Sequence, residues 1–585
     1  MLNNFIDDWN AQAARDDDLV LRLDHEFKAA LSKFFNGMSP IEISIAYLDW
    51  LSHLAISPGK QLQLVRSLAL KLFRLGFYNA AILLRQSADG PASKLERRVS
   101  SEHWQRWPFN VMAQAHQSAR DWWDEAIRDT PGVSNGHQEL VRFMTNQVLD
   151  LMSPANYLLT NPDVHRATIE QKGLNLAKGL KHFLQDTANK VAKTPLPRSE
   201  QFQVGKDVGV TPGKVVFRNE LMELIQYSPV TEKVGAEPVL FCPAWIMKFY
   251  ILDLSPKNSM VRYLVEQGKT VFMISWKNPT AADRDIGFED YLTKGMLAAV
   301  DAVEKIVPGR GINAVGYCIG GTLLLVGAAA MARDGDDRLQ SISLFAAQGD
   351  FSEAGEVLRF ISDSQLEFVD KFMWKKGFLS SENMGGTFGA LRASDMVWGS
   401  AVDRYLMGQE MEFNDLMAWN ADGTRMPYRM HTEYLHRLFL HNELARNKFL
   451  VGGSPVSLLD IRVPIFALGT ETDHVAPWPS VYKIHELTRT ELTFLLTSGG
   501  HNAGVISGAI HPYRRYRIHT HFPDDKYVDP DTWFETVPVN QNSWWPAWND
   551  WLDQQMSGTA KPPRMGAPRK GCKPIEDAPG KYVFG

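Results

Sequence analysis

The stretch Gly316-Tyr317-Cys318-Ile319-Gly320-Gly321 decides the fold. It has the G-x-S-x-G spacing of a sharp strand-to-helix turn, with cysteine where the pattern has serine. A strand-like apolar run, 312–315, precedes it, and a helix-like run, 320–333, follows it. The glycines let the backbone turn tightly enough to hold the thiol at the end of the strand. A thiol in this place forms thioesters, which exchange readily with other thioesters.

Strand-like and helix-like runs alternate from about residue 200 onwards. The strand-like runs lie at 214–218, 222–227, 239–243, 270–275, 312–317, 341–346, 465–469 and 492–497. This alternation predicts an α/β fold with a mostly parallel sheet and helices on both faces. The first part of the chain instead has apolar residues at helical spacing. Its predicted helices lie at 41–54, 59–75, 116–127, 137–152 and 162–184.

These patterns predict a mainly helical N-terminal domain over 1–195 and an α/β domain over 196–585. Residues 349–450 interrupt the alternation, are rich in Met, Phe and Trp, and predict a cap insertion. Residues from about 556 onwards are rich in Pro, Gly and Lys, and predict an extended tail. Four aromatic residues of the insertion are candidates either to cover the thiol or simply to pack between helices: Phe388, Trp398, Tyr405 and Trp419.

Composition limits the function classes. The chain has 585 residues, 44% hydrophobic and 22% charged residues, and a net charge of −5, so we expect a globular protein of two or three domains with neither nucleic acid nor an anionic membrane as partner. The acidic N-terminus has no apolar core, and the longest apolar run, 323–332, is half a membrane span. We expect a cytoplasmic protein without a transmembrane segment. The tryptophan pairs 122–123 and 544–545 predict either core packing or an exposed apolar surface.

The three cysteines, Cys242, Cys318 and Cys572, form neither a disulfide framework nor a metal-ligand pattern. Cys242 lies at the end of a predicted strand and is expected to be a small buried side chain, while Cys572 lies in the tail. We expect no metal and no resident cofactor, since the chain has no P-loop and no G-x-G-x-x-G motif.

Candidate catalytic partners follow two later strands. In an α/β-hydrolase the nucleophile, the acid and the histidine come in that chain order, at the carboxyl ends of strands. Asp473 follows the strand-like run 465–469, and His501 follows 492–497. The sequence therefore predicts a Cys318–Asp473–His501 site. His474, next to the aspartate, is the competing histidine.

An oxyanion hole requires two backbone N–H groups. The N–H of Ile319, directly after the cysteine, is the first candidate. The second is expected from the loop after the run 239–243, where Trp245 and Ile246 are both candidates that the sequence does not separate.

These stretches resemble the polyhydroxyalkanoate synthases of the class I type. The resemblance rests on 316–321, on Ser153-Pro154-Ala155-Asn156-Tyr157, and on Lys248-Phe249-Tyr250-Ile251-Leu252-Asp253-Leu254. The acid loop 473–478, the histidine loop 500–505 and the late Ser543-Trp544-Trp545-Pro546 also match, so the resemblance covers roughly residues 100 to 555. The segment 507–515 departs from the pattern, and this leaves the preferred monomer length open.

The resemblance implies an acyltransferase that polymerises 3-hydroxyacyl-CoA, with short-chain substrates such as 3-hydroxybutyryl-CoA expected. Coenzyme A is then part of the substrate and a product. The expected partners are the growing polyester and its granule surface in the cytoplasm, with a homodimer as the expected assembly. By the same resemblance Asp473 assists the attack of the next monomer as well as orienting His501. The alternatives are a cysteine-type α/β-hydrolase, such as an acyl-CoA thioesterase or a dienelactone-hydrolase-like enzyme, and a non-catalytic granule-coat protein.

Overall fold

The computed structural model describes residues 38–84, 90, 95–192, 199–374, 376–384, 397–410 and 413–585. The chain divides into two compact units. The helical unit consists of the described residues within 30–196 and 383–412, and the sheet unit of those within 197–382 and 413–585. The segment 383–412 lies inside the predicted cap insertion and clusters with the helical unit, so the predicted cap is divided between the two.

The helical unit contains six α-helices and a short π-helix, Val402–Leu406. The α-helices are α1 (Pro40–Ala55), α2 (Pro58–Leu83), α3 (Phe109–Ile127), α4 (Asn135–Leu151), α5 (Pro162–Glu170) and α6 (Leu174–Ala192). Side-chain caps start several of them, because Ser, Thr and Asn satisfy free backbone donors at helix N-termini. Asn161 accepts from the N–H groups of the first turn of α5, and a proline follows it at the first helical position.

The predicted helix 162–184 is wrong as one continuous element. Lys172 has a φ of 51° and Gly173 a φ of 81°, and this left-handed pair separates α5 from α6. The apolar spacing continues across the break, so the sequence pattern did not reveal it. α6 then packs against the π-helix at Gly179, where a Cβ atom would collide with the carbonyl group of Tyr405.

The helical unit has its own apolar core. Trp50 of α1 is buried among residues of α2, α3 and α4 and donates its indole N–H to the carbonyl oxygen of Ala126 at 3.0 Å. The ring of Trp50 lies 6.2 Å from the ring of Trp123. These contacts hold the first four helices together.

The sheet unit contains one eleven-stranded sheet. Its strands are β1 (Gly213–Arg218), β2 (Met222–Tyr227), β3 (Val239–Cys242), β4 (Val271–Trp276), β5 (Ile312–Tyr317), β6 (Leu339–Phe345), β7 (Ile465–Thr470), β8 (Leu492–Thr497), β9 (Arg515–His521), β10 (Asn540–Gln541) and β11 (Glu576–Asp577). The eight predicted strands are all present, each within two residues of its predicted bounds.

The strand order is β10-β9-β8-β7-β6-β5-β3-β4-β2-β1-β11. The central six strands, from β8 to β4, are parallel, and the flanking strands are antiparallel. The predicted α/β fold with a mostly parallel sheet is therefore confirmed. In this order β5 lies between β3 and β6, with Gly316 paired to Cys242 and to Leu344. The turn after β5 thus lies at the centre of the carboxyl edge of the sheet.

Helices cover the sheet and fill the long connection between β6 and β7. The α-helices of this unit are α7 (Met260–Glu266), α8 (Phe288–Asp290), α9 (Ala298–Ile306), α10 (Ile319–Arg333), α11 (Asp363–Trp374), α12 (Asp415–Ala421), α13 (Tyr428–Glu433), α14 (Trp478–Tyr482), α15 (Ile484–Leu487), α16 (Pro530–Thr536) and α17 (Trp545–Gln554). The π-helices Tyr291–Leu297 and Tyr434–Leu440 continue α8 and α13. α10 is buried along nearly its whole length, as its apolar run predicts.

The last residues pack on the sheet unit. β11 pairs with β1 through Lys214–Asp577 and Val215–Glu576, and Thr559–Ala560 pairs with Val234–Gly235. The predicted extended tail therefore also supplies the strand at one edge of the sheet. Within the described residues no helix is long and apolar enough to cross a membrane.

Candidate active site

The turn after β5 holds Cys318 in a strained backbone conformation. Cys318 has φ 54° and ψ −129°, a region that non-glycine residues rarely occupy. Its N–H donates to the carbonyl oxygen of Phe345 at 2.9 Å, and its own carbonyl oxygen starts α10 by accepting from Gly321 at 2.9 Å. The neighbouring β6 and the first turn of α10 thus fix the strained residue, whose side chain is partly exposed.

Three glycines make this turn sterically possible. A Cβ atom on Gly316 would collide with Gly321, and one on Gly321 would collide with the side chain of Ala347. A Cβ atom on Gly320 would lie 2.6 Å from the carbonyl carbon of Pro243. Each of these contacts involves main chain or a short side chain that cannot rotate away. The glycine pattern in the sequence therefore reflects close packing of the turn against β3 and β6.

Asp473 and His501 lie next to each other at the same edge of the sheet. Asp473 follows β7, His501 follows β8, and these two parallel strands are neighbours. The Nδ1 atom of His501 lies 2.7 Å from Oδ2 of Asp473. The side chain of Asp473 is fully buried, and that of His501 is 12% exposed. The structure therefore brings these two predicted residues together.

The carboxylate of Asp473 is held on both oxygens. Its Oδ1 accepts from the N–H groups of Val475 at 2.8 Å and Ala476 at 2.9 Å. Its Oδ2 accepts from the hydroxyl of Thr470 at 3.2 Å as well as facing His501. Burial raises the pKa of Asp473, but the charge of His501 and these hydrogen bonds outweigh it, and the net pKa lies below 3.8. Asp473 is thus ionised at neutral pH.

His501 contacts the sulfur of Cys318 as well as Asp473. Burial lowers the pKa of the imidazole, but the negative charges of Asp473 and Cys318 and hydrogen bonds with both side chains raise it well above 6.5. The protonated ring therefore stands between a carboxylate and a sulfur atom. An imidazole in contact with the sulfur can take up its proton, and the thiolate that results is the nucleophilic form of cysteine.

Tyr317 orients the histidine loop, a role that the sequence analysis did not identify. Its ring stacks on the imidazole of His501 with a centroid distance of 5.6 Å and an interplanar angle of 25°. Its hydroxyl donates to Oδ1 of Asn502 at 2.5 Å and lies 3.3 Å from the carbonyl oxygen of His501. The signal was present, because this tyrosine immediately precedes the cysteine and an asparagine follows the histidine.

The three candidates for the oxyanion hole lie at adjoining strand ends. Ile319 is the first residue of α10, so its N–H has no acceptor within the helix. Gly320 packs directly against Cys242 and Pro243, which brings the loop with Trp245 and Ile246 to the start of α10. Trp245 is buried and donates its indole N–H to the sulfur of Met430 at 3.2 Å. This packing does not distinguish the N–H of Trp245 from that of Ile246.

The competing residues lie in other surroundings. Cys242 is fully buried at the end of β3, and burial raises its thiol pKa. Cys572 is buried in the last segment, where its carbonyl oxygen accepts from Ala567. His474 lies on the acid loop, but the imidazole that contacts both Asp473 and Cys318 is that of His501. No group of three or more potential metal ligands occurs among the residues that the structure describes.

The tryptophan pair 544–545 is part of the core, so its reading as an exposed apolar surface is wrong. Trp544 donates its indole N–H to the carbonyl oxygen of Gly504 at 3.0 Å, and Trp545 donates to that of Val505 at 3.0 Å. Both side chains are essentially unexposed. The pair therefore anchors the segment that follows His501.

The aromatic residues of the predicted cap have different positions. Phe388 lies outside the described residues, and Trp398 belongs to the helical unit. Tyr405 packs on Phe183 within that same unit, with ring centroids 5.5 Å apart. Trp419 belongs to the sheet unit and donates its indole N–H to the carbonyl oxygen of Lys248 at 2.8 Å. These contacts are helix packing and loop anchoring.

A different aromatic residue of the insertion, Tyr434, lies close to the thiol. Burial and the nearby Cys318 sulfur together raise the pKa of its hydroxyl well above 10. Its ring lies 5.2 Å from the ring of Phe439 and 6.3 Å from that of Phe351. An aromatic side chain therefore lies near Cys318 on this side.

Comparison with known proteins adds three family matches. Residues 95–264 match the family described as "Poly-beta-hydroxybutyrate polymerase (PhaC) N-terminus", and residues 20–60 match "Poly-beta-hydroxybutyrate polymerase N terminal". Residues 237–505 match the family "alpha/beta hydrolase fold", which confirms the fold class suggested by the strand order.

Curated relatives extend over most of the chain. The poly(3-hydroxyalkanoate) polymerase subunit PhaC of Rhizobium meliloti (strain 1021) is 35% identical over 502 residues, covering 85% of this chain and 81% of that protein. The corresponding subunit of Cupriavidus necator is 34% identical over 546 residues, covering 92% and 90%. The poly(3-hydroxyalkanoate) polymerase of Methylorubrum extorquens is 36% identical over 498 residues, covering 83% and 80%.

Proposed function

The chain belongs to the poly(3-hydroxyalkanoate) polymerase family, and on this basis we propose that it polymerises 3-hydroxyacyl-CoA into polyester with release of coenzyme A. We assign Cys318 as the nucleophile, His501 as its base and Asp473 as the partner of His501. The observation that carries this assignment is the buried contact of His501 with both Asp473 and Cys318.

In the first step His501 holds the proton of Cys318 and the thiolate attacks the thioester carbon of the substrate. A carbon–sulfur bond to Cys318 forms, the bond to coenzyme A breaks, and the leaving thiolate takes up the proton that His501 holds, which leaves the imidazole neutral. The N–H of Ile319, with that of Trp245 or Ile246, stabilises the oxyanion of the tetrahedral intermediate. One thioester replaces another, so this step is nearly balanced in free energy.

In the second step the 3-hydroxyl of another acyl group attacks the Cys318 thioester. A carbon–oxygen bond forms, the bond to Cys318 breaks, and the hydroxyl proton passes to His501. Asp473 is ionised, fully buried and in contact with His501, so it stabilises the imidazolium that results. The oxoester lies lower in free energy than the thioester, and this difference drives elongation.

Water competes with the hydroxyl for the acyl-enzyme, so a polymerase must exclude it. Tyr434, which lies near the thiol and packs against Phe351 and Phe439, supports such exclusion. It lies within the insertion 349–450, which we propose acts as a cap. Because the described residues within 30–196 cluster apart from the sheet unit, we also propose that residues 1–195 form a helical domain distinct from the catalytic one.

Three finer points are proposals that rest on resemblance. Short-chain substrates, association with cytoplasmic polyester granules and a homodimeric assembly all fit the family to which the chain belongs. The polyester, an apolar polymer, is the expected surface partner. Product formation from acyl groups of four, six and ten carbons tests the first point, and sedimentation of the enzyme with and without substrate tests the other two.

One incubation tests the reaction. Purified protein with 3-hydroxybutyryl-CoA should release thiol and form insoluble polyester, whereas soluble 3-hydroxybutyrate would identify a cysteine-type hydrolase. Cys318→Ala should lose both activities, while Cys572→Ala, a change at a buried cysteine in the last segment, should retain them. Polyester binding without any thiol release would instead identify a granule-coat protein.

A further inference from the structure

Lys248 is a buried lysine directly after the loop that carries Trp245 and Ile246. Its side chain is 4% exposed. Its ammonium group donates to the main-chain oxygens of Val583 and of Gly585, the latter at 2.9 Å. It also lies 3.6 Å from a carboxylate oxygen of Asp422. A buried cation requires such partners, and two of the three come from the last residues of the chain.

Gly585 closes a ring of hydrogen bonds around the same loop. Its main-chain oxygen also accepts from the side-chain amide of Asn278 at 2.9 Å. The side-chain oxygen of Asn278 accepts from the N–H of Arg425 at 2.9 Å. Thr424, the preceding residue, donates its hydroxyl to the carbonyl oxygen of Trp245 at 2.6 Å. The chain of contacts therefore leaves the loop at Lys248 and returns to it at Trp245.

The main chain of the loop has further anchors. Trp419 donates to the carbonyl oxygen of Lys248 at 2.8 Å, and Trp276 donates to that of Pro243 at 2.8 Å. Met247 forms an antiparallel bridge with Gly423. These contacts fix carbonyl groups, which turns the N–H groups of the same peptide units in defined directions. The orientation of an N–H group is what an oxyanion hole depends on.

We propose that residues 582–585 form a latch that positions the oxyanion loop, with Lys248 as the positioning residue that joins them. This inference rests on the proposed function, because it concerns a donor for the tetrahedral intermediate. Neither Lys248 nor the latch contacts the substrate in this scheme. Their effect passes most directly through the N–H of Ile246, which shares its peptide unit with the anchored carbonyl group of Trp245.

The latch has a specific kinetic signature. An oxyanion donor acts on the transition state, so its misplacement lowers kcat more than it changes KM. Loss of one donor costs roughly 10²- to 10³-fold in kcat, and a partial displacement costs less. Alkylation of Cys318 by iodoacetamide requires the thiolate but forms no oxyanion. Its rate therefore separates a misplaced donor from general damage to the site.

Two variants remove the latch from opposite ends. Deletion of residues 582–585 removes both oxygen acceptors, and Lys248→Met removes the cation while keeping an unbranched side chain. Lys248→Arg keeps the charge and the donors and should recover part of the activity. Lys269→Met is the matched control. Lys269 lies two residues before β4, is as buried as Lys248, and forms an ion pair with Asp553. Asn278→Ala opens the ring at a partly exposed position and serves if the first two variants precipitate.

The assays are thiol release from 3-hydroxybutyryl-CoA and iodoacetamide alkylation. We expect the deletion and Lys248→Met to lower kcat at least about tenfold, with KM and the alkylation rate within about twofold of the wild type. Asn278→Ala should lower kcat about threefold, and Lys269→Met should leave it unchanged. Cys242 and Cys572 are both buried, so alkylation reports on Cys318.

The inference is overturned if the deletion and Lys248→Met both keep the wild-type kcat. If these two variants precipitate, a wild-type kcat in Asn278→Ala overturns it. It is also overturned if alkylation falls in parallel with kcat, which indicates damage to the thiolate itself. A wild-type enzyme that releases coenzyme A without making polyester would contradict the proposed polymerase instead. The latch would still be tested in that case, because its effect is the ratio of the variant kcat to the wild-type kcat for thiol release.

Discussion

Replacing Asp473 with asparagine tests the charge arrangement of the site most directly. Asparagine has nearly the same shape, so Val475 and Ala476 can still donate to its side-chain oxygen. The other carboxylate oxygen becomes an NH₂ group that faces Nδ1 of His501. Two donors then meet across 2.7 Å, and the imidazole is driven to the tautomer with its proton on Nε2. In that tautomer it cannot accept a proton from Cys318.

The distance sets the size of the effect. At 2.7 Å and an effective dielectric constant of about 20, Coulomb's law gives roughly 6 kcal/mol for a full ion pair. This value is an upper limit on the stabilisation of the imidazolium, and it corresponds to about four factors of ten in rate. The same substitution in a serine triad lowers kcat about 10⁴-fold through the wrong tautomer. We therefore expect Asp473→Asn to lower steady-state thiol release by about 10³- to 10⁴-fold.

Rapid-quench measurement of thiol release separates loading from elongation. The first turnover should be lowered less than the steady state, because attack of a hydroxyl needs a base more than attack by a thiolate does. An equal loss in both phases would show that Asp473 only orients His501. A steady-state loss of less than tenfold, in a variant whose melting temperature is unchanged, would refute the assigned role of the ion pair.

Three further predictions concern the nucleophile, the histidine and the turn. Cys318→Ser should release thiol at a rate far below the wild type, since an alcohol is a poor nucleophile here and forms no thioester; a rate within tenfold would contradict the thioester route. The folded pKa of His501 is raised above its ordinary 6.5, so its contribution to stability is complete below pH 6.5 and is lost as the pH rises through the folded value. Melting temperatures of the wild type should therefore fall relative to His501→Gln across that window, and parallel curves would contradict the raised pKa. Gly320→Ala should lower the free energy of unfolding by about 1–3 kcal/mol, because the added Cβ atom collides with the main chain at the end of β3. Gly76 lies in the middle of α2 with open space around it, so Gly76→Ala should raise the free energy of unfolding by about 0.5–1 kcal/mol. Urea denaturation measures both changes.

The parallel centre of the sheet was predictable because its strands are buried runs of apolar residues. The same runs located Cys318, Asp473 and His501, since each residue lies within four positions of the end of one of them. β9 was missed because Arg515–His521, where basic residues alternate with Tyr516, Ile518 and Thr520, lacks the continuous apolar run of the central strands and is only partly buried. β10 and β11 are two-residue strands, too short to give any periodic signal.

Contacts between distant segments were not predictable from local pattern. The ring stacking of Tyr317 on His501 and the position of Tyr434 depend on how loops meet at the edge of the sheet. The sequence around Lys248 does not indicate that this lysine is buried, because its partners lie more than three hundred positions later. The break between α5 and α6 at Lys172 was not predicted for a different reason. The apolar residues before and after it continue the same three- and four-residue spacing.

The strand β11 joins β1 across a separation of 361 positions, from Val215 to Glu576. Ribosomes add about 5–20 residues per second, so the edge of β1 waits roughly 20 to 70 seconds for its neighbour during synthesis. An uncovered strand edge is a template for pairing with other chains. Nascent copies on the same messenger RNA are thus exposed to one another for most of a minute. Slower translation should raise the demand for chaperones in the cell.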